Sequence, residues 1–270
     1  MKKNTIPKKI HYVWVGDKPK PQKVIDCIKT WQMNLPDYEI IEWNNDCLKE
    51  INNIYVKQAY DSKKWAFVSD YIRLYALYHQ GGIYLDTDVV LYDSFDKFLG
   101  NDFFSCYENY KGTVLPIMSA VMGSVPRSDF IYELLNYYKN KKFNNGKKLD
   151  LEPNTLKISR FFQKKYNLNP PYDEYEKTEL KKGMVIYPSY YFCSPKDGKK
   201  NYAIHLFEGS WITTYTRKDK LKLFGKLIFT RFTKKNDNND SLPLNEREFI
   251  ILKFKISSNK IYTILWSKNK

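Results

Sequence analysis

Asp86 and Asp88 are separated only by Thr87 and follow the apolar run Ile83-Tyr84-Leu85. On a strand, successive side chains face opposite ways, so both carboxylates would project to one side, about 6–7 Å apart at their Cα atoms. Left alone, they repel. A divalent cation carrying a diphosphate resolves that repulsion, because hard cations such as Mg2+ and Mn2+ take oxygen ligands from carboxylates and phosphates together. The tripeptide by itself is weakly specific, since solvated acids at a strand-to-turn junction have the same spelling. Asp70 and Arg73 form a second constellation. Three residues apart on a helix, they share a face. That face lies between apolar stripes, where a charge is costly unless it meets a partner or a ligand. His205, one of three histidines, offers an imidazole, a borderline ligand that suits Mn2+. Its plain alternative is a hydrogen-bonded strand histidine, and His11 and His79 read as structural.

The elements that must position these groups follow from periodicity. Over residues 64–80, Trp65, Val68, Ile72 and Ala76 make one apolar stripe, and Phe67, Tyr71, Leu74 and Tyr78 a second, which predicts a mostly buried helix. Ser62 is placed to cap its start, and Gly81 to end it in the left-handed conformation. Residues 83–91 read as one buried strand containing the Asp-x-Asp. Upstream, strands are expected at 9–16 and 38–43, and helices at 22–33 and 46–59. Downstream, strands are expected at 103–108 and 117–124 and a helix at 129–139. A helix at 154–166 lies within a Lys/Asn-rich stretch, 141–182, and strands return at 184–193 and 202–207. This alternation predicts an α/β layered fold with a largely parallel sheet. Residues 216–270 stand apart as a basic region. Leu221, Phe224, Ile228 and Phe232 fall on one helical face, joined by Leu223 and Leu227, with Lys222 and Lys226 elsewhere. That pattern predicts an amphipathic helix, which could lie on an anionic leaflet or pack on its parent domain.

At 270 residues and 43% hydrophobic content, the chain can form one large α/β domain with an appendage, or two small domains. The net charge of +15 fits nucleic acid, an anionic membrane surface or an anionic substrate. No nucleic-acid motif is present, so nucleic acid is not an expected partner. Aromatic residues, at 17%, can serve as platforms for sugars and bases or simply fill the core. Cys27, Cys47, Cys106 and Cys193 are scattered, as expected of reduced thiols in a cytosolic protein. The first ten residues lack the apolar core of a signal peptide, and no apolar run reaches the length that spans a membrane. The expected location is cytoplasmic, with peripheral attachment at the inner face of the plasma membrane.

SDYIR at 69–73, a spacer, and GGIYLDTDV at 81–89 in their aromatic frame resemble the core of glycosyltransferase family 32. That family includes bacterial capsule and lipopolysaccharide sugar transferases, yeast mannosyltransferases and, more distantly, the large clostridial toxin glucosyltransferases. The resemblance covers about residues 5–125 and 202–211. It implies a GT-A-type fold in residues 1–215, a single nucleotide-binding sheet flanked by helices. By their own composition, residues 141–182 read as a variable insertion near the acceptor, and 216–270, which the resemblance does not cover, as a helical C-terminal appendage. The resemblance also implies roles for single residues. Trp14, in HYVWVG, matches the aromatic that stacks on the base. Asp70 and Arg73 match residues that hydrogen-bond the donor sugar, and Tyr84 lines the same pocket. Asp88 binds the metal directly, and Asp86 touches metal or ribose. His205 completes the metal shell, and Ser210 and Trp211 lie near the diphosphate. Relatives often carry Asn where this chain has Ser119, which leaves the donor sugar open.

The function so implied is Mn2+- or Mg2+-dependent, retaining transfer of a hexosyl group from a nucleotide sugar, UDP-linked in most bacterial relatives. The acceptor would be a saccharide, lipid-linked, in capsular, exopolysaccharide or lipopolysaccharide synthesis. Two alternatives are an effector-like transferase acting on a protein and a non-catalytic nucleotide-sugar or polysaccharide binder. If Asp70 and Arg73 grip donor hydroxyls at a pocket wall, truncating them is expected to cost turnover and little stability. If they are a private ion pair, the reverse is expected.

Overall fold

A computed structural model of the chain describes residues 5–146, 148–172, 176–208, 215–223, 227–234, 248–257 and 260–267. It divides into two compact units, Met1–Glu208 and Gly209–Lys270. The first unit begins with β1 (Lys9–Val13), α1 (Gln22–Asn34), β2 (Glu39–Trp43), α2 (Ile54–Asp61), α3 (Trp65–Gln80) and β3 (Gly82–Leu85). It continues with β4 (Val89–Leu91), β5 (Phe103–Cys106), β6 (Glu108–Tyr110), β7 (Thr113–Leu115) and β8 (Val121–Ser124). It ends with α4 (Asp129–Asn136), α5 (Asn154–Tyr166), β9 (Thr178–Lys181), β10 (Met184–Tyr187) and β11 (Ala203–His205).

A seven-stranded sheet in the order β2-β1-β3-β8-β5-β10-β9 forms the centre. β2, β1, β3, β5 and β10 run one way, and β8 and β9 run against them. The strand side chains alternate between two cores, as the pleat requires. Tyr84, Phe103, Met122, Met184 and Ile186 pack with α2, α3, α4 and α5 on one face. Ile83, Leu85, Phe104, Cys106 and Val121 pack with α1 on the other. The expected α/β layering, one central sheet with helices on its faces, is therefore present. β3 is buried at every position. Gly123 of β8 is required beside it, because a Cβ there would stand 2.1 Å from the Phe104 ring.

Three local expectations are corrected. Ser62 does not cap α3: it closes α2, and Lys64 holds the N-cap position without a side-chain cap. Gly81 does end α3, but at φ +65° and ψ −165° it is not in the left-handed helical conformation expected of it. The run 83–91 is not one strand. β3 stops at Leu85, a turn closed by Val89 N–H to the Asp86 carbonyl (3.1 Å) follows, and β4 leaves the main sheet to pair antiparallel with β11. Carboxylates could not continue a strand buried on both faces, and α1 holds β4 in its new place. Trp31 Nε1 donates to the Val89 carbonyl at 2.8 Å, and Leu91 N–H donates to Thr30 Oγ1 at 3.0 Å.

The second unit corrects the expectation of a helical appendage. It is an antiparallel sheet of β12 (Tyr215–Leu223), β13 (Leu227–Lys234), β14 (Glu248–Ser257) and β15 (Lys260–Ser267), in the order β12-β13-β15-β14. A short apolar run fits either period. Here the alternation Lys220-Leu221-Lys222-Leu223 and the β-branched and aromatic residues Ile228, Phe229, Thr230, Phe232 and Thr233 favour the pleat. Ile228 and Thr230 are buried two apart on β13, and Thr230 faces the buried Thr263 across the ladder. Phe224 lies outside the described residues.

Candidate active site

The parallel strands β1, β2 and β3 end on one edge of the sheet, where open α/β sheets place ligand clefts. Asp86 is the first residue past the end of β3, and the turn lets Asp88 fold back beside it. β11 arrives antiparallel to β4 with His205 opposite Val89, which carries the imidazole to the same edge across more than a hundred residues. One ligand atom from each of Asp86, Asp88 and His205 lies within 4.8 Å of the others. Strand pairing, rather than spacing in the chain, assembles this cluster.

The two acids are held by different partners, which relieves their repulsion. Asp86 Oδ1 accepts from the Tyr84 hydroxyl at 2.8 Å and lies 3.2 Å from Arg73 Nη2. Asp88 Oδ1 lies 3.3 Å from His205 Nε2, and its Oδ2 accepts from the Glu208 amide at 2.9 Å. Burial works against the charge on Asp88, but the hydrogen bond and charge of His205 and the Glu208 amide outweigh it and hold the carboxyl below its usual range. Burial likewise opposes an imidazolium at His205, yet Asp88, with Asp86 and Glu108, raises its pKa. His205 Nδ1 is buried with no hydrogen-bond partner among the described residues. Two carboxylates and an imidazole, one nitrogen of it unpartnered, are a donor set that suits Mn2+ or Mg2+. Asp86, Asp88 and His205 are the residues that would hold such an ion.

Arg73 ties the helix to this edge. Its Nη2 stands 3.1 Å from Asp70 Oδ1, its Nη1–H donates to the Ser119 carbonyl at 2.7 Å, and its guanidinium lies 4.6 Å from the centre of the Tyr84 ring. Arg73 is 4% exposed and Asp70 7%. Burial pushes the Asp70 carboxyl up to about 6, against the pull of Arg73 and Lys157. Arg73 therefore has two acidic partners, Asp70 within α3 and Asp86 of the Asp-x-Asp. Tyr84 is buried beneath Arg73 and reaches the cluster through its hydroxyl on Asp86.

Trp14 follows directly on β1, half-buried, with its Nε1–H donated to the Lys18 carbonyl at 2.9 Å. This bond fixes the ring within the loop at the same sheet edge. Ser210 and Trp211 lie outside the described residues. The segment leading to them is anchored by Asp88, whose carbonyl accepts from Leu206 N–H at 3.0 Å, and by an ion pair between Glu208 and Lys23 of α1. His11 is structural: its Nε2 bonds the Gly81 carbonyl at 2.7 Å, and burial lowers its pKa to about 4.

Sequence reasoning missed Glu108. It opens β6, and Thr155 Oγ1 lies 3.4 Å from its Oε2. Burial pushes its carboxyl up to about 7, while His205, Thr155 and Arg73 pull it down and Asp86 adds to the rise. No motif marks it. The available signal was an acid placed immediately after the buried run Phe103–Cys106 and Tyr107.

Residues 21–105 match the family described as "Glycosyltransferase sugar-binding region containing DXD motif", so the chain carries a sugar-binding region of that kind across α1, α3 and the Asp-x-Asp. Subversion of eukaryotic traffic protein A of Legionella pneumophila is 32% identical over 112 residues, 32% of this chain and 17% of that protein. Inositol phosphoceramide mannosyltransferase 3 of Schizosaccharomyces pombe is 34% identical over 88 residues, 31% of this chain and 24% of that protein. The chain thus matches less than a quarter of the length of each. Among solved structures, the PaToxG glycosyltransferase gives a TM-score of 0.44 at 20% identity, covering 61% of this chain and 71% of that one. A glycosyltransferase involved in glycosylation of the major capsid of PBCV-1 gives 0.38 at 13% identity, covering 74% and 93%.

Proposed function

We propose that this chain is a metal-dependent retaining glycosyltransferase of GT-A type. It moves a hexosyl group from a UDP-sugar to a saccharide acceptor of the capsular, exopolysaccharide or lipopolysaccharide kind. The observation that carries the reading is the convergence of Asp86, Asp88 and His205 on one edge of the sheet, within and beside a stretch that matches a DXD sugar-binding region.

The chain's own residues divide the work. Asp86, Asp88 and His205 hold the metal, which when bound offsets the charge of the departing nucleoside diphosphate. Trp14 stacks on the base. Arg73, with its fork on Asp70, Asp86 and the Ser119 carbonyl, positions Asp86 beside the donor sugar, and Tyr84 keeps Asp86 oriented by its hydroxyl. Ser210 and Trp211 serve the diphosphate, as the family resemblance implies. The match to an inositol phosphoceramide mannosyltransferase supports a lipid-linked acceptor. The match to Subversion of eukaryotic traffic protein A favours a second reading, an effector that acts on eukaryotic traffic by the same chemistry. No helix among the described residues is long and apolar enough to cross a membrane. An anionic membrane surface is the proposed site of work. Ile250, Ile251 and Leu252 are exposed together on the edge strand β14, beside the exposed Lys253, a pairing of apolar and cationic groups that such surfaces take up.

A donor panel tests the function. UDP-galactose, UDP-glucose, UDP-N-acetylglucosamine, UDP-N-acetylgalactosamine and GDP-mannose are scored for hydrolysis with Mn2+ and with EDTA. One UDP-hexose is expected to be hydrolysed only with the metal. Hydrolysis of none, or equal rates in EDTA, would remove the reading. Preference for GDP-mannose would move the donor to the yeast-like branch.

A further inference from the structure

Glu108 is a part-buried carboxylate to which the reading above gives no task. Two independent sets of contacts place it. On one side, Thr155 Oγ1 lies 3.4 Å from its Oε2 and 2.8 Å from Ser119 Oγ, and the Ser119 carbonyl takes Arg73 Nη1–H at 2.7 Å. On the other side, Tyr110 shares its face of β6, two residues on. The Tyr110 ring centre lies 4.8 Å from that of Phe207, which lies 4.2 Å from that of His205. Glu108 is thus linked to Arg73 through Thr155 and Ser119 and, through its neighbour Tyr110 and Phe207, to His205. Arg73, Asp86 and His205 are the charged groups it faces, from α3, the turn after β3 and β11.

Resting on the glycosyltransfer reading, we propose that Glu108 is a catalytic residue, the base that takes the proton from the hydroxyl attacking the anomeric carbon. The O–H bond of the acceptor, or of water in hydrolysis, breaks towards a carboxylate oxygen of Glu108. The freed electron pair on that oxygen forms the new bond to the anomeric carbon. The bond from that carbon to the diphosphate oxygen breaks, and its electron pair leaves with the nucleoside diphosphate. Glu108 gives the proton to solvent before the next turnover.

The test compares wild type and Glu108→Gln in Mn2+-dependent hydrolysis of the preferred UDP-sugar at saturating donor and metal. Turnover is expected to fall by about 100-fold or more, the scale of general-base catalysis. Affinity for UDP with Mn2+ should stay within about twofold, the spread expected for a group that acts only in the transition state. Equal turnover, or a loss of UDP affinity as large as the loss of rate, would overturn the proposal. Wild-type turnover with an unaffected Gln variant removes only the role of Glu108, whereas absence of turnover in wild type removes the glycosyltransfer reading as well.

Discussion

Arg73 Nη2 stands 3.2 Å from Asp86 Oδ1, so the buried helix α3 and the acid at the end of β3 share one cation. Asp70 holds the same nitrogen at 3.1 Å. With Arg73 only 4% exposed, its loss would leave Asp70, Asp86 and the Ser119 carbonyl uncompensated. The small stability cost expected for a pocket-wall residue therefore becomes a large one. Arg73→Ala should destabilise the fold by roughly 3–5 kcal/mol, the scale for breaking a buried pair from one side. Asp70→Asn, which keeps shape and a hydrogen-bonding group, should cost less. Urea unfolding of both variants checks this, and an Arg73→Ala midpoint equal to wild type would show that water reaches the pair.

Gly123 meets a different limit. A methyl group there would stand 2.1 Å from the Phe104 ring, which is itself buried against Phe95, Phe98 and Phe192. Gly123→Ala should destabilise by about 1–3 kcal/mol, the usual cost of overpacking a core. Gly112→Ala, where nothing lies within 4 Å of the added carbon, controls for composition, although its positive φ adds a smaller strain. The two melting temperatures should differ clearly, with Gly123→Ala the lower.

The parts of this fold that were legible are those with a consistent apolar pattern. α3 was readable because its apolar positions repeat over many residues, and β3 because Ile83, Tyr84 and Leu85 form an unbroken apolar run. The break after Leu85 was not, since the letters Asp-Thr-Asp-Val-Val-Leu continue a strand as well as they leave one. What decides it is the hold of Trp31 and Thr30 on β4, a contact across the fold. The second unit misled for a related reason. Leu221, Leu223, Ile228 and Phe232 fit a helical face and a pleat alike, and only the pairing of β12, β13, β14 and β15 distinguishes them. His205 was legible as a rare residue before a turn. Glu108 was not, because its setting comes from Thr155 and His205, which are distant in the chain.

Stability should respond to pH through Glu108. Its carboxyl lies at about 7 in the fold against an ordinary 4.5. A raised pKa means that the folded state binds the proton more tightly, so this contribution is fully present below the ordinary value and is lost as pH rises through the raised one. Glu108→Gln removes that dependence. Without metal, the variant should gain melting temperature relative to wild type between about pH 5 and pH 8. A constant difference across that range would place Glu108 in contact with water.

The exposed strand β14 predicts association with lipid. The protein should cosediment with vesicles rich in anionic phospholipid at low salt and much less at high salt, because the attraction falls off within a Debye length. Ile251→Glu, at a position 51% exposed, should weaken this without lowering the melting temperature. No cosedimentation at low salt would remove the membrane surface from the account.

The convergence of Asp86, Asp88 and His205 is tested most directly by calorimetric titration of UDP into wild type, Asp88→Ala and His205→Ala, each with and without Mn2+. The account predicts that wild type binds UDP tightly only with the metal, and that Asp88→Ala loses this gain. His205→Ala should lose most of it while remaining folded. Equal affinity for UDP in all three proteins, unchanged by Mn2+, would contradict it.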